Sequence, residues 1–289
     1  MRETRPVRGP YDPAMVGHLT VPAAPELGAL PPWATLVRAP NPGPMTLDGT
    51  NTWVLRVSGA AVVVDPGPDD ASHLREVAGH APVGLILLTH GHDDHREGAA
   101  HLSDLLGGVP IAAADPKHCR DAPPLRDGTG IDGTGIDGTE IDGIRVLHTP
   151  GHTADSVCLV VQDEAVLTGD TILGRGTTVV AWPDGDLADY LASLQRLEQL
   201  GRVPVLPGHG PALADCAAAA AHYSAHRLAR LDQVRAAVAA GDRDAAAVVR
   251  RVYADVDRSL WPAAEWSVRA QLAYLDRESP PTPPGLDEP

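Results

Sequence analysis

The segment Leu88–His95, LTHGHDDH, gathers three histidines and two aspartates at the end of an apolar run. Imidazole nitrogens and carboxylate oxygens are the donors that Zn²⁺ accepts, and that Fe and Mn tolerate. His90 and His92 lie two apart, so in an extended segment both rings point the same way and can share one ion. Asp94 and His95 follow at once and can turn toward a second. One loop cannot close such a site, and three later blocks offer the rest: His152 in TPGHT, Asp170 in LTGD and His209 in PGHG, each in a Gly-containing turn behind an apolar run. Five imidazoles and two carboxylates suffice for two ions with Asp170 as a bridge. Two ions held ~3.5 to 4 Å apart make a hydroxide nucleophile available at neutral pH. No Ser or Cys occupies a recognisable nucleophile elbow or dyad, so hydrolysis is the expected chemistry. Asp94 is placed to orient the hydroxide or to return a proton to the leaving group.

The elements that must position these residues alternate between strands and helices. NTWVLRVSGAAVVVDPG, from Asn51 to Gly67, reads as two β-rich runs joined at Ser58-Gly59. VGLILLT, Val83 to Thr89, is a continuous apolar run of strand length, as expected for a strand buried on both faces. REGAAHLSDLL has helical spacing, VPIAAA suggests a strand, and IRVLHT, SVCLVV and AVLTGD are strand-like. A helix from about Asp186 to Leu200 carries Leu187, Tyr190, Leu191, Leu194 and Leu197 on one face, with an Asp cap and Gly201 as stop. Beyond Pro211 an Ala-rich helical stretch leads into two shorter helical patterns. We expect a catalytic region at 1–215, a helical segment at 216–279 and a disordered Pro-rich tail at 280–289. Residues 127–143 repeat a five-residue Gly-Asp unit and are expected to form an expanded surface loop or hairpin.

Composition narrows the partners. Of the net charge of −15, residues 1–225 carry −14, so most of the surface would repel a phosphate backbone. Residues 226–279 are nearly balanced, with nine Arg against eight Asp and Glu. No apolar run approaches the ~20 residues of a membrane span, and no signal peptide is visible, so a cytoplasmic protein without membrane contact is expected. Three cysteines at wide spacing suggest neither a disulfide framework nor a cysteine zinc site.

The H-x-H-x-D-H pattern of HGHDDH, with VVVDPG, TPGHT, LTGD and PGHGP in that order, resembles the metallo-β-lactamase superfamily. The resemblance implies an α/β fold, the αββα sandwich, with the metals along one edge. It implies that His90, His92 and His152 hold a first ion, that Asp94, His95 and His209 hold a second, and that Asp170 bridges two Zn²⁺, or Fe or Mn. Asp65 would support the metal loop from behind. NPGPMTLDGTNTWVL, GDTILGRGTTVV and HYSAHRLARLDQV narrow the likeness to a group of lactamase-β-like endoribonucleases and glyoxalase II-like hydrolases, whose members end in a small winged-helix-like segment. The helical patterns after Gly241 resemble that segment, although no pair of wing strands is evident after Leu275.

Two substrate classes remain open. The acidic body favours a small ester or thioester. The group resemblance favours single-stranded RNA, with an anion pocket formed by Arg175 in LGRGTT and by His226 and Arg227 on the Ala-rich helix. The alternative for Arg227 and Arg230 is an ordinary solvated helix face. A structural role for the metals beside a partner-binding C-terminal segment, and an amide-cleaving β-lactamase, are lesser alternatives. The resemblance also allows a homodimer.

Overall fold

The computed structural model describes residues 23–57, 59–128, 130–131 and 143–278; the Pro-rich tail and most of the five-residue repeat lie outside them. Two five-stranded mixed sheets stack face to face. The first contains, in spatial order, β1 (Ala34–Arg38), β2 (Asn51–Leu55), β3 (Ala61–Val64), β4 (Val83–Leu87) and β5 (Ile111–Ala112). Its first three strands pair antiparallel and its last three parallel. In the second sheet β6 (Gly130–Ile131), β7 (Ile144–His148), β8 (Val157–Val161) and β9 (Ala165–Gly169) form an antiparallel meander, and β10 (Val205–Pro207) joins β9 in parallel.

Side-chain alternation divides each strand between two cores. Leu55, Val62, Val64, Leu85 and Leu87 point inward against Val146, Leu159, Val161 and Leu167 of the facing sheet. Their neighbours Val54, Val63 and Ile86 point outward. There they meet Leu74 and Val77 of α1 (Ala71–Ala78) and Leu102 of α3 (Ala99–Leu105); α2 (Asp93–Arg96) is a single turn between them. Each such aliphatic burial stabilises by about 1.5–3 kcal/mol, and a one-residue slip would swap the two faces, so register is firmly specified. On the second sheet Cys158, Val160 and Val166 point outward onto α4 (Leu187–Glu198) and α5 (Cys216–Ala239). Asp186 caps α4 by accepting from the amides of Ala188 and Asp189.

A fourth apolar cluster joins the C-terminal half of α5, through Val234 and Ala237, to α6 (Ala245–Val252) and α7 (Trp261–Glu278). One uninterrupted helix therefore serves both the sandwich and the C-terminal helices. Among the described residues no strand follows α5, and none of their helices is long and apolar enough to cross a membrane. The edge strand β1 is absent from the sequence reading. The three cysteines are free; burial pushes the Cys158 and Cys216 thiols up to about 11 and about 12, which suits inert core residues.

Candidate metal centre

Strand direction brings the donors together. β3 and β4 run parallel, as do β9 and β10, and β7 is antiparallel to a strand that is antiparallel to β9. Asp65, the segment Thr89–His95, His152, Asp170 and His209 follow the ends of these strands and converge on one edge of the sandwich. Gly208 is required there by space: a Cβ on it would lie 2.6 Å from Asp170 Oδ1 and 2.7 Å from His95 Cε1.

All seven sequence-predicted donors come together in two groups. In the first, His92 Nδ1 lies 3.0 Å from His90 Nε2 and 3.0 Å from His152 Nε2. In the second, His209 Nε2 lies 3.1 Å from His95 Nε2 and 3.2 Å from Asp94 Oδ2. Asp170 stands between the groups, with Oδ1 3.4 Å from His95 Nε2 and Oδ2 3.5 Å from His209 Nε2 and 3.8 Å from His152 Nε2.

Hydrogen bonds behind the rings fix which nitrogen each histidine presents. The Nδ1–H of His152 donates to the Val179 carbonyl at 2.6 Å, and that of His209 to the Gly49 carbonyl at 3.3 Å. His95 donates from Nδ1 to Asp65 Oδ2 at 2.9 Å. The Thr89 hydroxyl donates to the same Asp65 oxygen at 2.7 Å, so it accepts from His90 Nδ1 at 3.0 Å. Asp65 is thus the common support, held in a left-handed backbone conformation (φ 51°) that L-residues adopt at a cost. In the first group Nε2 of His90 and Nε2 of His152 both turn a lone pair toward His92 Nδ1, and in the second Nε2 of His95 and Nε2 of His209 face the carboxylates of Asp94 and Asp170.

That arrangement fits metal ions. Nitrogens bound tetrahedrally at 2.0–2.1 Å lie ~3.3 Å apart, close to the spacing observed. The lone pairs of His90 and His152 converge and call for a cation between them, and in the second group a metal ion would take the place of the protons that the carboxylates hold on His95 and His209. Asp170 Oδ1, buried with no hydrogen-bond partner among the described residues, is a further acceptor that an ion would satisfy.

Electrostatics distinguish the groups. Burial depresses His90 well below the usual imidazole range, with His95 and His152 adding to it, and takes His152 down to about 4 against the pull of Asp170. His90 and His152 are therefore neutral at pH 7. Burial also opposes charge on His95 and His209, but nearby carboxylates prevail: Asp170, Asp94 and Asp65 hold His95 well above its ordinary value, and Asp170 and Asp94 bring His209 up to about 9. Despite their own burial, Asp94 and Asp170 are held below the usual carboxylate range by these imidazoles. Thr50, which sequence reasoning missed, places its hydroxyl 3.5 Å from Asp94 Oδ2 and is itself held by Asn41 Nδ2 at 3.0 Å.

Beside His152 and Asp170 opens a cavity of about 190 Å³. Met45 and Leu47 line one side, Leu173 and Val179 another, and Val256, Leu260 and Ala264 close it from the C-terminal helices. Arg175, His226 and Arg227 all line it, joined by Arg230. Arg175 is engaged by both oxygens of Asp48, at 2.6 and 2.7 Å, and is not free to receive an anion. Arg227 and Arg230 do not lie on a solvated face: they are 3% and 2% exposed. The loop carrying Thr177 and Thr178 covers Arg227, and Tyr253 covers Arg230. Their signal in the sequence is the spacing Tyr223, Arg227, Arg230, Val234, which sets two cations into the buried stripe of α5. Burial and the adjacent Arg227 and Arg230 push the His226 imidazole down to about 3, so it is neutral.

An αββα sandwich whose strand ends deliver imidazoles and carboxylates to one edge defines a class of metal-dependent hydrolases. The chain belongs to the metallo-beta-lactamase superfamily, whose family model matches residues 45–209; that of the beta-lactamase associated winged helix domain matches residues 245–279. The chain is 31% identical over 258 residues to the beta-lactamase-like protein 2 homolog of Drosophila melanogaster, covering 82% of this chain and 86% of that one. It is 34% identical over 201 residues to a protein of Aspergillus fumigatus named atrochrysone carboxyl ACP thioesterase, covering 66% and 60%. The crystal structure of a beta-lactamase domain protein from Burkholderia ambifaria shares the fold, with a TM-score of 0.74 at 24% identity over 90% of this chain and 91% of that one.

Proposed function

We propose that the protein hydrolyses a small ester or thioester with two Zn²⁺, or Fe or Mn, held by the seven donors. The observation that carries this reading is the junction of an intact double donor set with a half-open, mainly apolar cavity. His90, His92 and His152 would hold one ion, Asp94, His95 and His209 the other, with Asp170 shared. Two such ions supply Lewis-acid activation of water and of the scissile carbonyl. The chain's own residues do the rest. Asp94, ionised at neutral pH and partly open to solvent, accepts the proton of the attacking water and delivers it to the departing oxygen or sulfur. Leu173 and Val179 exclude water from the acyl side of the cavity. The thioesterase name carried by the Aspergillus fumigatus relative supports this substrate class.

Single-stranded RNA is the second reading, favoured by the cationic side chains of α5 at the cavity wall. The enclosure of Arg227 and Arg230 and the acidic body speak against a polymer reaching them. The deciding experiment incubates zinc-loaded protein with acyl thioesters and with labelled single-stranded RNA, beside the Asp170→Ala variant. Thioester cleavage that disappears in the variant is the expected result. RNA cutting that disappears in the variant, without thioester turnover, would overturn the proposal.

A further inference from the structure

Resting on the hydrolase reading above, we propose that His226 and Arg230, with Arg227, form a subsite for an anionic group, so that the preferred substrate carries a carboxylate at the far end of its acyl chain. Two guanidiniums three residues apart on α5 are buried in the cavity wall, and among the described residues no carboxylate lies within ion-pair distance of either. Arg227 reaches the Thr178 carbonyl, the Thr177 hydroxyl at 3.0 Å and the face of Tyr190. Arg230 reaches the Val252 carbonyl and Gln233 Oε1, both at 2.9 Å, and the face of Tyr253. These partners satisfy hydrogen bonds and leave both charges uncompensated.

Unsatisfied atoms point the same way. Arg227 Nε, Arg230 Nη2 and both ring nitrogens of His226 are buried without a hydrogen-bond partner among the described residues. Native interiors rarely leave such groups bare, and a buried charge normally has its counter-charge. In a chain of net charge −15, with carboxylates abundant elsewhere, the missing counter-charge belongs to the ligand. His152 and Asp170 line the same cavity as Arg230 and Tyr253. A substrate whose carbonyl lies at the metal centre therefore extends its acyl chain along Leu173 and Val179 toward the cations. There its carboxylate accepts from Arg230 Nη2 and a His226 N–H, charge-assisted bonds with a fixed direction.

The test compares N-acetylcysteamine thioesters of hexanoate and adipate, which differ in a terminal methyl against a carboxylate, with spontaneous hydrolysis subtracted. The wild-type protein is expected to favour the adipoyl thioester by about tenfold or more in kcat/KM. That ratio should fall toward unity in Arg230→Gln. Because Arg230 also holds the Val252 carbonyl, His226→Leu serves as a second variant that removes no hydrogen bond present in the structure, and it should lower the ratio as well. Parity in the wild type, or a preference that survives both substitutions, would overturn the inference. Parity accompanied by strong thermal stabilisation from inorganic phosphate would assign the pocket to a resident counter-ion and overturn it equally. If neither thioester is cleaved, calorimetry with adipate and hexanoate decides. Tighter adipate binding that is lost in Arg230→Gln would keep the subsite and reject the hydrolase reading; equal binding would reject both.

Discussion

Two buried charged regions share one cavity and have opposite sign. At the strand ends, Asp65, Asp94 and Asp170 concentrate negative charge around imidazoles. On α5, Arg227 and Arg230 bring positive charge to the opposite wall. Both regions would be costly if left empty, and each is most easily relieved by a ligand of the opposite charge. The difference lies in preorganisation. Every metal-facing imidazole except His92 has its rear nitrogen bonded to the protein, whereas His226 has neither nitrogen bonded. The metal-facing rings are therefore oriented by the protein itself, whereas on the cationic wall the two guanidiniums are held and the His226 ring is left for a ligand to engage.

The largest effect should come from removing the acceptor common to both donor groups. Asp170→Ala should lower thioester hydrolysis by about a thousandfold or more and halve the metal content measured by elemental analysis. Full activity with two tightly held ions would make the two groups independent. Gly208→Ala should come next, because its Cβ would displace Asp170 or His95, and metal affinity should weaken by at least about tenfold in competition with a chelator. Asp65→Asn should weaken metal binding by about ten- to a hundredfold, since Asp65 orients His95 directly and His90 through Thr89.

Proton competition should separate the two donor groups. His209 in the metal-free protein keeps its proton up to about pH 9, so an ion entering its group must displace that proton. Apparent affinity there should rise with pH by about tenfold per unit for each proton displaced, and the part owed to His209 should level off above about 9. His152, titrating at about 4, and His90, held well below the usual imidazole range, carry no proton to displace above about pH 6, so affinity at the first group should depend on pH less steeply. Calorimetric metal titrations at several pH values would show one steeper and one shallower site; two parallel slopes would remove the distinction. The smallest effect belongs to Asp48→Asn. Its bidentate pair with Arg175 is substantially exposed, so thermal stability should change by less than ~1 kcal/mol.

The metal edge was legible in the sequence because its donors are polar blocks that interrupt apolar runs and sit beside glycines. Such interruptions have no structural purpose in a strand end, so their chemistry shows without coordinates. VGLILLT was legible as a strand buried on both faces, whereas the sandwich itself was implied only by the resemblance of the ordered motifs to the superfamily. The cationic wall was legible only in part: His226 and Arg227 were expected at an anion pocket, but their burial was not. Arg227 and Arg230 read equally well as solvent-facing residues on an Ala-rich helix. What buries them is the loop Thr177–Thr178 and Tyr253, some fifty residues before Arg227 and about twenty after Arg230. Strand β1 escaped because ATLVR, pressed between Pro-rich stretches, is too short for its periodicity to stand out.

The continuity of α5 carries a further implication. Its first turns are set into the sandwich through Cys216, Ala219 and Tyr223, and its last turns hold the C-terminal helices through Val234 and Ala237. The span between them bears His226, Arg227 and Arg230. The helix acts as a ruler clamped at both ends: the offset between the reacting carbonyl and the cationic wall is fixed by helical rise. Substitutions in α6 and α7 can thus retune which chain lengths are read while the strand-end chemistry stays as it is, and measurement of the substrate becomes separable from its cleavage.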